Sequence, residues 1–93
     1  MVQEVHHNDL TAALAAPVAV LDFNATWCGP CKMLGPVLEE VSNEMADKAA
    51  FFGIDCDENP QLAAQFGVSS IPCLVVLKNG RVAARTEGLA GKG

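Results

Sequence analysis

Hydrophobic and polar positions along the chain predict strands and helices in alternation. A short helix is expected near Asn8 to Ala15, with Asn8 or Asp9 as its cap. The apolar run Val18 to Phe23, broken by one acid, predicts a central strand. A longer helix follows from Pro30 to about Asp47, since proline is favoured in the first turn of a helix. Its apolar positions recur at helical spacing: Leu34, Val37, Leu38, Val41 and Met45.

The second half of the chain continues this alternation. It predicts a strand, a short helix and two more strands: Ala50 to Cys56, Asn59 to Phe66, Cys73 to Leu77 and Arg81 to Arg85. The first of these strands is expected to run parallel to the central one, because a long helix crosses between them. Asn59 is the expected cap of the short helix and Gly67 its left-handed end. Asn79-Gly80 is typical of a tight hairpin turn. The predicted class is a mixed α/β sheet of four or five strands flanked by helices.

Length, composition and charge exclude several classes of function. With 93 residues, 51% of them hydrophobic, the sequence indicates one small domain over residues 1–93. A net charge of −5 with only six Lys and Arg residues provides no basic stripe, so neither nucleic acid nor an anionic membrane is an expected partner. The apolar run Val18 to Leu21 is too short to span a bilayer. No basic residue precedes Lys32, so no secretory signal is recognised and a cytoplasmic location is expected.

The hexapeptide Trp27-Cys28-Gly29-Pro30-Cys31-Lys32 carries the candidate chemistry. Residues three apart on a helix have Cβ atoms about 5 to 6 Å apart, so the two thiols need little movement to form a disulfide. Cys28 is placed at a helix N-terminus, where free N–H groups and the helix dipole stabilise a thiolate. The pattern therefore predicts Cys28 as the nucleophile and Cys31 as the resolving thiol.

Structural zinc is the first alternative for this pattern, because a Cys-x-x-Cys pair is also half of many zinc sites. The other half is missing, since Cys56 and Cys73 are isolated and have no His nearby in the sequence. We therefore expect no metal ligands and no bound cofactor.

Two other positions are ambiguous from the residues alone. Asp22 is an acid inside an apolar strand, where burial should raise its pKa, and either a functional role or a structural hydrogen-bonding role accounts for it. Ile71-Pro72 is more often an ordinary trans turn, because only about 5 to 6% of such bonds are cis.

The hexapeptide matches the active-site motif of thioredoxins letter for letter, and further markers fall where that family has them. These are Asp22-Phe23, Lys32-Met33, Pro36, the segment Ile54 to Pro60, Ile71-Pro72, Lys78-Asn79-Gly80 and Gly88. The chain resembles bacterial-type thioredoxins over essentially its whole length.

This resemblance implies a thioredoxin fold and a protein-disulfide reductase without a cofactor, with disulfide-containing proteins and thioredoxin reductase as partners. It also implies that Asp22 assists proton transfer at Cys31 and that the Ile71-Pro72 bond is cis and faces the disulfide. The implied substrate surface comprises Trp27, Gly29, Pro30, Ile71, Pro72 and Gly88. Some thioredoxins act instead as structural subunits through the same surface, so a non-catalytic binding role is the alternative.

The chain departs from the family pattern at a few positions. Asn24 replaces a common aromatic residue, which predicts looser packing under the active-site loop. Gly53 replaces a common lysine near the buried acid, and Cys73 replaces the common threonine after the proline. Cys73 is then either an inert core residue or a thiol that competes in exchange. The family's last helix is not found after Gly88, which predicts an uncovered sheet face and self-association through it.

Overall fold

One five-stranded sheet organises the part of the chain that the computed structural model describes, residues 1–87. The elements are β1 (Val2–Val5), α1 (Thr11–Ala15), β2 (Val18–Asn24), α2 (Gly29–Glu44), β3 (Ala50–Asp55), α3 (Pro60–Gln65), β4 (Cys73–Lys78) and β5 (Arg81–Glu87). The strand order is β1-β3-β2-β4-β5. Strand β3 runs parallel to both β1 and β2, whereas β4 is antiparallel to β2 and to β5. The predicted mixed α/β class, with β2 at the centre, is confirmed.

Alternate residues of the strands face opposite sides of the sheet, as strand geometry requires. Ala19, Leu21 and Phe23 of β2 belong to the main hydrophobic core, which also contains residues of α1 and α3. Val20 and Asp22 point to the other face. Helix α2 contributes no residue to the main core and contacts β1, so it covers part of this other face. Burying the first set removes apolar surface from water and provides the main stabilisation of the fold.

The buried stripe of α2 differs from the one predicted. Cys31, Leu38 and Ser42 are buried, whereas Val37 is 53% and Met45 is 38% exposed. The stripe is therefore rotated from the predicted face, which leaves Val37 and Met45 outside it. The helix also ends at Glu44 rather than near Asp47.

The predicted caps of the two short helices are confirmed only in part. Oδ1 of Asp9 accepts a 3.0 Å hydrogen bond from the backbone N–H of Thr11, the first residue of α1. The N-cap position of α1 is Leu10, and neither it nor Asn59, at the N-cap of α3, makes a side-chain capping bond. Instead, Oδ1 of Asn8 accepts hydrogen bonds from the backbone N–H groups of Gln61 (3.0 Å) and Leu62 (3.2 Å), and so caps α3 from a distant part of the chain. Asn59 is fully buried, and its Nδ2 donates to the Val5 carbonyl at 3.0 Å. A tertiary contact thus gives Asn8 the capping role expected of Asn59, while Asn59 ties β1 to the turn before α3.

Strand β1 and the β4-β5 hairpin form the two edges of the sheet. β1 was not predicted, because its central residues Gln3 and Glu4 are polar and exposed, as is common at a sheet edge. The hairpin between β4 and β5 turns at Asn79 (φ 52°) and Gly80 (φ 81°), as the Asn-Gly pair predicts. None of the helices between residues 1 and 87 is both long and apolar enough to cross a membrane.

Candidate active site

The two thiols of the hexapeptide form a disulfide at the start of α2. Cys28 is the N-cap residue of the helix, and Pro30 lies in its first turn, where a missing N–H costs nothing. The Cα atoms of Cys28 and Cys31 are 5.3 Å apart. The backbone N–H of Cys31 points at the Cys28 sulfur, with an N to Sγ distance of 3.2 Å. A helix start with an N–H directed at sulfur favours negative charge on that sulfur.

The loop that carries Ile71 packs beside this disulfide. Ala25, Cys28 and Cys31 form a small buried cluster, and the partly buried Ile71 packs against it. The Ile71-Pro72 peptide bond is cis, as the resemblance implies, and Pro72 is fully buried. Residues that are forty positions apart in the sequence thus meet at one site.

Exposed residues surround the disulfide on its other side. The Trp27 side chain is 69% exposed, and its Nε1 donates a 2.8 Å hydrogen bond to Oδ2 of Asp57. Gly29 and Pro30 are also exposed. Asp57 was missed as a site residue, although it follows β3 within a segment that already matched the family. The predicted Gly88 lies outside the described residues.

Asp22 is buried on β2 with one carboxylate oxygen unpartnered. Its exposure is 7%, and Oδ1 has no hydrogen-bond partner among residues 1–87. Burial raises the pKa of Asp22 from 3.8 to about 6. A hydrogen bond from Asn24 opposes this rise, and the charge of Glu4 adds to it. A buried carboxyl that titrates near neutral pH can take up and release a proton under ordinary conditions.

Asn24 connects this acid to an open depression beside the disulfide. Its Nδ2 lies 3.1 Å from the Asp22 carbonyl oxygen and 3.4 Å from Oδ2 of the same residue. The depression has a volume of about 400 Å³ and is lined by Asn24, Ala25, Thr26, Cys31 and Lys32. The looser packing expected from the small Asn24 side chain stays a prediction.

The remaining thiols do not line the site. Cys73 is fully buried in the main core, apart from the cluster around the disulfide, and burial raises the pKa of its thiol. Cys56 is partly buried against the same core, and its thiol pKa is raised mainly by burial. Both placements favour a packing role, since a thiol in apolar surroundings is rarely ionised. Within residues 1–87, no cluster of three or more His, Cys, Asp or Glu side chains could hold a metal ion.

Comparison with known proteins agrees with this geometry. The family model described as thioredoxin matches residues 1–93. Thioredoxin from Bacillus subtilis is 49% identical over 82 residues, which covers 88% of this chain and 79% of that protein. Thioredoxin from Staphylococcus epidermidis is 43% identical over 89 residues, covering 96% and 86% respectively. Thioredoxin from Staphylococcus aureus is 44% identical over 84 residues, covering 90% and 81%.

The chain belongs to the thioredoxin family. Its sheet and helices form a thioredoxin fold, and its Cys28-Cys31 pair is the redox-active disulfide of the family motif. It is a thiol-disulfide oxidoreductase, and in enzymatic terms a protein-disulfide reductase. The fold and the function that the resemblance implies are both confirmed.

Proposed function

We propose that this thioredoxin-family chain reduces disulfides in partner proteins by a two-step exchange in which Cys28 acts first. The Cys28 thiolate attacks one sulfur of the partner disulfide, forming a mixed disulfide and releasing the other sulfur as a thiol. Cys31 then loses its proton and attacks the Cys28 sulfur, which forms the Cys28-Cys31 disulfide and releases the second partner thiol. In sum, two electrons and two protons pass to the partner.

The order of the two thiols rests on one observation. Cys28 stands at the N-cap of α2, and its sulfur receives the backbone N–H of Cys31. That environment lowers the cost of a negative charge on sulfur, and the thiolate is the attacking species. Cys31, one turn into the helix and 6% exposed, suits a thiol that acts only after a partner is attached.

Asp22 is the proposed proton acceptor for Cys31. Its burial, its unpartnered Oδ1 and its pKa of about 6 support this role. A carboxyl titrating near neutrality can accept the thiol proton and return it later in the cycle.

The proposed docking surface for the partner chain consists of Trp27, Gly29, Pro30, Ile71, Pro72 and Gly88. It is supported by the exposure of Trp27, Gly29 and Pro30 and by the packing of Ile71 against the disulfide cluster. The Pro72 side chain is fully buried, so Pro72 would contribute by holding Ile71 in place rather than by contacting the partner. The backbone of Ile71 would pair with an extended segment of the partner, a short form of strand addition.

Reduction of insulin disulfides tests the cycle. We expect wild type to reduce insulin with dithiothreitol, or with NADPH and thioredoxin reductase, which we propose as its physiological electron donor. Cys28→Ser should lose turnover, and Cys31→Ser should accumulate a mixed disulfide with insulin, visible by mass spectrometry. Cys56→Ser is the matched control and should keep wild-type turnover. Activity of Cys28→Ser equal to wild type in both formats would refute the proposal.

We propose that this cycle operates in the cytoplasm as part of electron transport to target proteins. The unpaired state of Cys56 and Cys73 supports this, since reducing compartments keep such thiols free. Fractionation of the source cells checks it, because recovery outside the cytoplasmic fraction contradicts the assignment.

We also propose a single domain over residues 1–93, which limited proteolysis should leave uncut between its elements.

Self-association through the partly covered sheet face is a further proposal. Val20, Leu74 and Val76 share this face by register and are only half-buried. Ala84, opposite Val76 on the fully exposed strand β5, extends the patch. The patch carries no charge at these four positions, so a second copy could meet it without like-charge repulsion. Sedimentation velocity should show a concentration-dependent dimer that Val76→Lys weakens and Leu14→Lys does not. A monomer at all concentrations contradicts it.

A further inference from the structure

Glu4, Gly53 and Asp22 lie side by side on three neighbouring strands. Gly53 of β3 is the register partner of Glu4 on β1 and also of Asp22 on β2. Residues directly opposite each other in a sheet project to the same face, so both acids stand on the side that α2 partly covers. Gly53 itself is buried.

The carboxyl end of Glu4 lies over Gly53. A Cβ atom at Gly53 would be 2.9 Å from Oε2 of Glu4 and 3.3 Å from its Cδ. Any larger residue would have to push this carboxyl aside. Because Gly53 has no side chain, the Glu4 carboxylate has room to extend from the edge strand toward Asp22. Glu4 is otherwise exposed.

The electrostatics of the two acids agree with this placement. The charge of Glu4 raises the pKa of Asp22, adding to the larger effect of burial. The pKa of Glu4 is itself raised, first by its own partial burial. The other charged groups that act on Glu4 are His6, Glu58, Asp55 and Glu39. His6 is bonded to Glu58, which leaves Glu4 without an ion-pair partner among residues 1–87.

On the Asp22 side, Asn24 supplies a neutral donor, and β4 contributes Leu74 opposite the acid. Cys56 and Cys73 are titratable groups that also interact with Asp22, but burial raises the pKa of both thiols, which favours their neutral form. Glu4 is thus the charged side chain that acts on Asp22 in the oxidised protein. In the reduced protein, Cys31 of α2 is a further titratable group near this end of the sheet.

We propose that Glu4 is a positioning residue for the reaction of Cys31, because its carboxylate over Gly53 makes Asp22 a stronger proton acceptor. The step is the transfer of one proton from the Cys31 sulfur to the Asp22 carboxylate. Glu4 touches neither reacting atom and acts only through Asp22. The inference rests on the proposed role of Asp22 and adds the residue that adjusts it.

The test measures the titration of Asp22 directly. Carbon-13 NMR of the Asp22 carboxyl in oxidised protein gives its midpoint in wild type, Glu4→Gln and the control Glu44→Gln. Glu44 is an exposed acid at the C-terminal end of α2 and is not among the groups that act on Asp22, so the control makes the same change in net charge without that interaction. Glu4→Gln should lower the midpoint by about half a pH unit, roughly a threefold change in proton affinity, as expected for a partly screened like charge. Glu44→Gln should leave it unchanged.

The pH profile of insulin reduction provides the functional readout. Its acidic limb should move in the same direction in Glu4→Gln, and the effect of Glu4→Gln should vanish in an Asp22→Asn background. Glu4→Thr, which suits an edge strand, repeats the measurement if Glu4→Gln folds poorly. If the Asp22 midpoint does not move in Glu4→Gln, or moves equally in Glu44→Gln, this inference is overturned while the proposed role of Asp22 stands. A wild-type pH profile in Asp22→Asn removes the proposed role of Asp22 and this inference with it.

Discussion

The indole Nε1 of Trp27 donates a hydrogen bond to Oδ2 of Asp57 over 2.8 Å, across thirty positions of sequence. Asp57 lies in the turn after β3, where its own N–H donates to Oδ1 of Asp55 at 2.8 Å. The ring beside Cys28 is therefore oriented by a carboxylate on a separate loop, although the ring itself is 69% exposed.

Removing this acceptor should loosen the ring and weaken partner docking. Asp57→Ala is expected to lower kcat/KM for insulin reduction by about threefold to tenfold, since this exposed hydrogen bond should contribute about 1 kcal/mol, as a typical hydrogen bond does. Asp57→Asn keeps an acceptor oxygen and should lose less. Trp27 is the single tryptophan of the chain, so its fluorescence reports the ring alone. Wild-type fluorescence and kcat/KM in Asp57→Ala would show that the bond does not orient the ring.

Asp22 should make the protein less stable as pH rises. Its folded pKa, about 6, lies above its ordinary value of 3.8, so between these values the folded state holds more protons than the unfolded state. The free energy of unfolding then falls with increasing pH, and the rise in pKa corresponds to a loss of about 3 kcal/mol. Asp22→Asn cannot ionise and should escape this loss.

Guanidinium unfolding of the oxidised protein at about pH 4 and about pH 7 measures this effect. Asp22→Asn should gain stability relative to wild type as pH rises, by an amount approaching about 3 kcal/mol. Carboxyl groups that do not interact with Asp22 titrate equally in both proteins and cancel in the comparison. Parallel pH dependence of the two proteins would mean that Asp22 titrates normally in the fold.

The cap that Asn8 places on α3 should stabilise the fold measurably. Asn8→Gly keeps the positive φ of 55° without strain but removes the oxygen that accepts from Gln61 and Leu62. We expect a loss of about 1 kcal/mol, the usual contribution of a capping side chain. Asn8→Asp retains the acceptor and serves as the control. Thermal unfolding should rank wild type and Asn8→Asp above Asn8→Gly, and equal stability of all three would show that the cap contributes nothing.

The two free thiols should differ in reactivity. Iodoacetamide is expected to modify the half-buried Cys56 slowly in native oxidised protein, and Cys73 only after unfolding, because Cys73 has no exposed surface. Peptide mapping after timed labelling separates the two. Mild peroxide oxidation should likewise yield no Cys28-Cys73 disulfide. Rapid labelling of Cys73, or that disulfide, would show that this thiol reaches the active site.

Much of the fold was predictable because its signals are local. Three features each follow from residues within one short segment: the central strand, the start of α2 next to Pro30 and the Asn79-Gly80 hairpin. The same is true of the thiol pair, since two cysteines one helical turn apart are neighbours in any helix. Asp22 could be singled out because an acid conflicts with the apolar strand around it.

The remaining features depend on contacts between distant segments, which no local pattern encodes. Strand β1 is half polar, so only its pairing with β3 shows that it belongs to the sheet. The cap on α3 comes from Asn8 because β1 brings the following loop against that helix. Glu4 meets Gly53 and Asp22 only through the register of three strands, and a shift of one residue would turn these side chains to the opposite face. The chemistry of the thiols thus depends on one hexapeptide, whereas the charge around the buried Asp22 depends on strand pairing.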